Sequence, residues 1–397
     1  MTITKRSEHE VVVVGARCAG AATAMLLGRM GHDVVVVDKA RLPSDTLSTH
    51  GLVRGGVVQL DRWGLLDEVL AAGAPAIEKV RFDAAGQSIT RRIKERAGVD
   101  ILIAPRRYVL DELLYDAADR AGADLRNQVT ATGLTRSTDG RVTGLTAHTA
   151  SGDELELSAR YVIGADGRSS RMAQYFGAPM TESFTPLSTV FYTYVEADGW
   201  DAFEFHVTHG AFVGVFPTND GQACVWMCSP STSPTDLRTA GSRRTAAFVE
   251  AIDRLAPELA RRVRAGRIVA PIRGVANMPN YLRMPYGPGW ALVGDAGYHR
   301  DPITGHGITD AFRDAELLAT ALDRALRNPA AEPDALATYH RTRDDQAREV
   351  FDLTRALTAF PPVEEFVALQ IRLSEALERE ADFLAGLPLV PGVAAAA

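Results

Sequence analysis

Cysteine is scarce: Cys18, Cys224 and Cys228 are the only three in 397 residues, an odd set that forms no disulfide framework and fits a reducing compartment. Long apolar runs are also missing. Val11 to Val14 is far short of a membrane span, and the preceding "TKRSEHE" is too short and too mixed in charge for a secretion signal. A cytoplasmic protein with no membrane partner is expected. No basic block interleaved with aromatics occurs, and 43 Lys+Arg against 50 Asp+Glu leave a net charge of −7, so the expected partner is a small molecule and not nucleic acid. Repeats and low-complexity linkers are absent. Cys224 and Cys228 fall on one side of an expected strand in "QACVWMCSP", but further ligands are lacking nearby and no metal is expected. What the chain does have is a 46% hydrophobic fraction, ample for two domains or one large fold with an insertion.

The β-branched run Val11 to Val14 reads as a buried parallel strand ending at Gly15. A helix follows over about 19–30, rich in Ala, Met and Leu, and Gly31 stops it. Val34 to Val37 repeats the strand signature and ends on Asp38. This is a βαβ unit, the arrangement that sets a helix N-terminus under a pyrophosphate. Of the usual Gly-x-Gly-x-x-Gly, Gly15 and Gly20 are present and Arg17 holds the middle place. A side chain there must point away or take a positive φ, and Arg17 is expected beside the pyrophosphate, supplying charge where close backbone approach is lost. Asp38 lies 23 positions after Gly15, near the ~20 expected of an acid that bonds a ribose.

Two further stretches repeat the strand, acidic turn and helix order. "RYVIGADGRSSRMAQYFG" leads from a buried strand into Gly164, Asp166 and Gly167. "GWALVGDAGYHRDPITGHGITDAFRDAELLATAL" ends a strand at Gly294 and Asp295, and then Pro302, Gly305 and Gly307 precede an amphipathic helix with Ile308, Ala311, Phe312, Ala315 and Leu318 on one face. Between them, "TVFYTYVEADGWDAFEFHVTHGAFVGVFPTNDGQACVWMC" reads as successive antiparallel strands with turns at Asp198-Gly199, His209-Gly210 and Asn219-Asp220-Gly221. After the break at 327–335, helices are expected over about 336–357 and 362–384, followed by a plain "GVAAAA" tail.

In this order and spacing the three motif stretches resemble the single-component flavoprotein monooxygenases related to p-hydroxybenzoate hydroxylase. The resemblance implies an α/β fold: a Rossmann-like FAD-binding domain over 1–70, 98–180 and 268–330, an inserted antiparallel β-sheet substrate domain over 71–97 and 181–267, and C-terminal helices over 331–397. It implies FAD, with the ADP half at Gly15, Ala19, Gly20 and Asp38 and with Arg17, Cys18, Lys39 and Val129 beside them. Arg107 would contact the flavin, Asp166 would serve FAD and the pyridine nucleotide, and Gly294 and Asp295 would meet the ribityl chain. Pro302, Gly305, His306, Gly307 and Ile308 would border the flavin pyrimidine edge, where a helix N-terminus stabilises the anion of reduced flavin. Two positions depart from the family: Tyr298 stands where a His is frequent, and Thr309 replaces a frequent Asn.

The implied activity is an NADPH- or NADH-driven monooxygenation, in which molecular oxygen reacts as a flavin C4a-hydroperoxide to hydroxylate or epoxidise an apolar or aromatic molecule. The protein supplies orientation, dryness and proton control. Ser48 and Thr49, with His206, Phe216, Pro217 and Tyr298, are candidate substrate-pocket residues. His50 is the candidate catalytic base, with a helix-start role weighed equally against it. Cys18 is read as a small buried filler and not a flavin attachment point. Rival readings are a halogenase, whose Trp-x-Trp-x-x-Pro signature is not found, a reductase of the geranylgeranyl-reductase kind, and a flavin binder without turnover.

Overall fold

The two valine runs become the central strands of the first sheet. The computed structural model describes residues 4–84, 86–233 and 237–390, so the "GVAAAA" tail lies outside the described residues. Five parallel strands stand in the order Trp290–Leu292, Glu154–Gly164, Thr4–Val14, Val34–Asp38 and Asp124–Asn127, with Val11 opposite Val34 and Tyr161. Because side chains alternate across a strand, Val11, Val13, Val34, Val36 and Ile163 join one core while Val12, Val14, Val35, Val37 and Val162 join the other. Both faces are buried, which is why these strands read as unbroken apolar runs instead of alternating ones. An antiparallel hairpin, Val129–Arg136 and Val142–Thr149, extends the sheet from Glu154–Gly164.

A second sheet takes its strands from two separate parts of the chain. Arg267–Ile268, Ser188–Glu196, Gln222–Pro230, Ala211–Pro217, Phe203–Thr208, Lys79–Ala84 and Gln87–Arg92 lie in that order, antiparallel except where Phe203–Thr208 runs parallel to Lys79–Ala84. On its outer face, Val213, Val215 and Val225 pack against Phe248, Ile252 and Leu259 of the helices Arg244–Leu255 and Pro257–Ala265. On its inner face, Phe212, Phe216 and Trp226 pack with Leu353, Leu357 and Phe366 of the C-terminal helices Glu332–Thr358 and Val363–Ala385. A small sheet of Tyr298–His299, Asn280–Arg283 and Met180–Phe184 links the two larger ones. Among the described residues, no helix is long and apolar enough to cross a membrane.

Close packing of strand and helix rests on one glycine at the first turn. A methyl group on Gly20 would stand 1.7 Å from the carbonyl oxygen of Gly15 and 3.1 Å from the Ala165 Cβ, so helix Cys18–Arg29 sits as low on the sheet as backbone allows. Gly20→Ala is therefore expected to force the two apart and to lower unfolding free energy by about 1–3 kcal/mol in a urea titration. A change within about 0.5 kcal/mol, the ordinary surface value, contradicts this.

Candidate functional site

The glycine-rich turn is built from backbone outward. Gly15 has φ +108°, and any side chain on it would collide with the Ala165 carbonyl. Asp38, at the end of its strand, accepts the amides of Ala16 (2.8 Å) and Ala40 (2.7 Å), so its carboxylate fixes the turn from the adjacent strand. Lys39 beside it is exposed. The Gln128 amide donates to Ala40 at 3.2 Å, which brings buried Val129 to the same corner.

Arg17 adopts extended backbone, φ −89° and ψ −168°, and its side chain turns away from the turn. Its guanidinium donates to Asp111 (2.6 Å) and to the carbonyl and hydroxyl of Ser44 (2.9 Å each) instead of standing free for a phosphate. Asp111 is the hub that sequence reasoning missed. Fully buried, it also takes two nitrogens of Arg107 at 2.9–3.1 Å and the Cys18 thiol at 3.2 Å. Two guanidiniums on one carboxylate leave an excess positive charge beside a helix N-terminus, a setting suited to a pyrophosphate. Burial pushes the Cys18 thiol well up, so it stays neutral and a poor nucleophile.

The other two motifs converge on this turn. Gly294 has φ +58°, and a Cβ there would lie 2.9 Å from the Ala19 Cβ and 3.5 Å from the Ala311 Cβ, so the strand end meets both helix starts at once. Burial raises the next carboxylate, Asp295, while His299, Arg107 and Arg168 pull it back. Among the described residues no donor bonds its carboxylate, and this half-buried acceptor fits polyol hydroxyls. Pro302–Thr304 and Gly305 (φ +63°) then lead into the 21-residue helix Gly307–Arg327, where the Gly307 Cβ position faces open space and the first amides await an acceptor. Ile308 is buried. Asp166 takes a different part: it accepts from Ser170 (2.5 Å) and the amides of Arg171 (2.7 Å) and Met172 (3.1 Å), capping the short helix Arg171–Phe176.

His306, buried between Gly305 and Gly307, bonds Glu380 of the last helix through Nε2. Glu380 also accepts from Arg313 at 3.0 Å; burial raises its pKa, but His306, Arg313 and Arg300 outweigh that and hold it at about 2. Ligand atoms of His306, Asp310 and Glu380 lie within 4.8 Å of one another, yet Arg300 meets Asp310 at 2.8 Å and Arg313 meets both carboxylates, an arrangement that opposes a further cation.

Directly beyond Pro302–Gly305 lies a small, mostly apolar cavity. Its sheet wall is Phe203, Phe205, Phe216 and Trp226, and its other walls include Thr49, Gly51 and Thr304. Of the expected pocket residues, Thr49 and Phe216 line it. Ser48 does not, since its amide donates to Tyr192 (3.1 Å) and its hydroxyl accepts from the His50 amide (3.0 Å). His206 is on the opposite side of its strand from Phe203 and Phe205, paired with Asp83 at 2.8 Å, because the face the aromatics occupy is the cavity face. Pro217 alternates outward with Val213 and Val215. Tyr298 is buried against Phe351 and Ala347, behind the small sheet and away from the cavity. Alternation does hint at Trp226 and Cys228, which share the parity of Phe216 across the strand pair.

His50 has φ +45° and is buried. Its Nδ1–H donates to the Ala104 carbonyl (3.1 Å) and its Nε2 accepts from the Tyr194 hydroxyl (2.9 Å), so both ring nitrogens are engaged in holding the loop that carries Thr49 and Gly51. Burial, with the Arg106 and Arg107 charges, lowers its pKa from 6.5 to about 3. A base near neutrality is not built here. Unfolding takes up this proton between those two values, so the stability His50 contributes is complete above pH 6.5 and is lost as pH falls toward 3. His50→Asn, a residue that tolerates positive φ, is expected to flatten the fall of unfolding free energy across that window relative to wild type. Equal slopes in denaturant titrations of the two proteins contradict the assignment.

The FAD binding domain family model matches residues 8–354. Kynurenine 3-monooxygenase of Salinispora tropica is 29% identical over 381 residues, covering 88% of this chain and 80% of that protein. Digeranylgeranylglycerophospholipid reductase of Methanocella arvoryzae is 25% identical over 356 residues, covering 87% and 84%. The structure of Pseudomonas aeruginosa PqsL, solved with 2-aminobenzoylacetate, shares the fold with TM-score 0.79 and 23% identity, covering 94% of this chain and 100% of that one. With the glycine turn, the Gly-Asp strand end and the Pro-x-x-Gly-x-Gly helix start brought together, this chain belongs to the FAD-binding-domain family and is a flavoenzyme of the p-hydroxybenzoate hydroxylase-like type.

Proposed function

We propose that the protein is an NADPH- or NADH-driven monooxygenase that inserts an oxygen atom from molecular oxygen into an apolar or aromatic small molecule. The observation that carries this reading is the shared wall: the Pro302–Gly305 turn that leads into the Gly307–Arg327 helix also closes the aromatic cavity. In this reading Gly15, Ala19, Gly20 and the Asp38-braced turn receive the ADP half of FAD, with the Arg107–Asp111–Arg17 cluster behind it. Asp295 accepts from ribityl hydroxyls, and the Gly305–Ile308 amides meet the pyrimidine edge. When bound, FAD supplies the electron transfer and the oxygen activation. The chain's own residues orient and dry the substrate: the phenylalanine and tryptophan wall excludes water, and the His50-anchored loop sets Thr49 against the ligand.

A second reading, a double-bond reductase, draws on the 25% identity to the archaeal lipid reductase. The first reading is preferred for the higher identity, 29% against 25%, to kynurenine 3-monooxygenase of Salinispora tropica. The discriminating experiment supplies FAD-loaded protein with NADPH or NADH, heavy-isotope dioxygen and a panel of compact aromatic and alkene compounds. Ligand-stimulated nucleotide oxidation with the isotope in the product is expected. Anaerobic saturation of an alkene at the same rate, or flavin reduced by neither nucleotide, overturns the proposal.

A further inference from the structure

His306 stands directly before helix Gly307–Arg327, yet its side chain does not cap that helix. The residue is 1% exposed and its Nε2 bonds Glu380 of the last helix, so the imidazole is turned into the core while the first helical amides stay open. Its Nδ1 bonds no described group, whichever protonation state the ring takes, so the surrounding charges decide that state.

Those charges come from several elements. The last helix gives Glu380, the Gly307–Arg327 helix gives Asp310, Asp314 and Arg313, and the segment before the Pro302 turn gives Arg300. Helix Glu332–Thr358 adds Arg343 and Asp344, which pair at 2.5 Å and cancel. Arg54 is committed to Glu378 at 2.9 Å, and its helix meets Glu380 only with Gly55. Asp295 and Asp301 interact with His299 instead. The remaining carboxylates are bonded as ions: Arg313 donates to Asp310 at 2.7 Å, to Asp314 at 2.8 and 3.1 Å and to Glu380 at 3.0 Å, and Arg300 meets Asp310 at 2.8 Å. Two guanidiniums thus face three buried carboxylates, and one negative charge stays uncompensated unless His306 carries a second proton. An uncompensated buried charge is costly, and protonating the ring beside Glu380 removes it.

We infer that His306 is held as an imidazolium by Glu380, and that its charge, added to the open N-terminus of helix Gly307–Arg327, shifts bound FAD toward its reduced, anionic form. The inference deepens the proposed function, on which it rests for the place of FAD. Being buried, His306 is a positioning residue, acting through the field at the Gly305–Ile308 amides.

The midpoint potential of the FAD-loaded protein is read in anaerobic dye-coupled titrations, about one pH unit above the ordinary histidine value of about 6.5 and without nicotinamide or substrate. His306→Gln is expected to disfavour reduced relative to oxidised FAD about tenfold, which lowers the two-electron midpoint by about 30 mV. Adding Glu380→Gln deletes the charge left behind, and the double variant is expected to return to within about twofold of wild type. In the wild-type holoenzyme, ring-nitrogen NMR is expected to show both nitrogens of His306 protonated at the same pH, a readout that needs neither variant to fold. A neutral ring in the wild type, a midpoint unmoved by His306→Gln, or a double variant as low as the single one overturns the inference, since a merely structural part would weaken both redox forms alike. None of these readouts involves oxygen, nicotinamide or substrate, so their failure is distinct from a failure of isotope incorporation, which bears on the monooxygenase reading alone.

Discussion

The site depends on one close approach, that of Gly294 to Ala19 and Ala311. The end of strand Trp290–Leu292 meets the first turns of two helices that lie nearly 300 positions apart in the chain, and a methyl group at that point would drive them apart. Because the strands are locked in register by interdigitated valines on two faces, the sheet cannot yield to relieve such a clash. Two helix N-termini, the half-buried acceptor of Asp295 and the Arg107–Asp111 pair are thereby gathered at one edge of the parallel sheet, the carboxyl edge where ligands of such sheets bind.

The electrostatics divide along the same axis. At the glycine turn the surplus is positive, since Arg17 and Arg107 share one buried carboxylate. At the cavity the wall is neutral and its aromatic rings are fixed by packing. Between them, the His306–Glu380–Arg313–Asp310–Arg300 network ties the last helix to the Gly307–Arg327 helix start, so that the C-terminal segment is part of the site's foundation. Breaking one member of such a network leaves a buried charge without a partner, and its members therefore stand or fall together.

Much of this was legible in the residues. The valine runs, Gly15, Gly20, Gly294 and the Pro302–Gly307 turn announce themselves because their constraints are local: a buried strand is a run, and a tight turn is a glycine. The meander turns at His209-Gly210 and Asn219-Asp220-Gly221 were readable for the same reason. What stayed hidden depends on partners distant in sequence. Asp111 is an ordinary helical aspartate until folding sets it against Arg17, 94 positions away, and Glu380 meets His306 across 74. The face of strand Phe203–Thr208 that meets the cavity is decided by what packs on each side, so alternation alone does not say whether the face of His206 or that of Phe205 meets it. Tyr298 sits by a family motif, but the small sheet turns it toward Phe351.

The central claim is that flavin and substrate meet across the Pro302–Ile308 segment. A crystal structure of the FAD complex with a substrate identified by the isotope assay tests it most directly. The account predicts the isoalloxazine pyrimidine edge at the amides of Gly305 to Ile308, with the substrate on the Phe216 side of that segment. An isoalloxazine ring bound away from that segment, or a cavity closed off from it, would contradict the account.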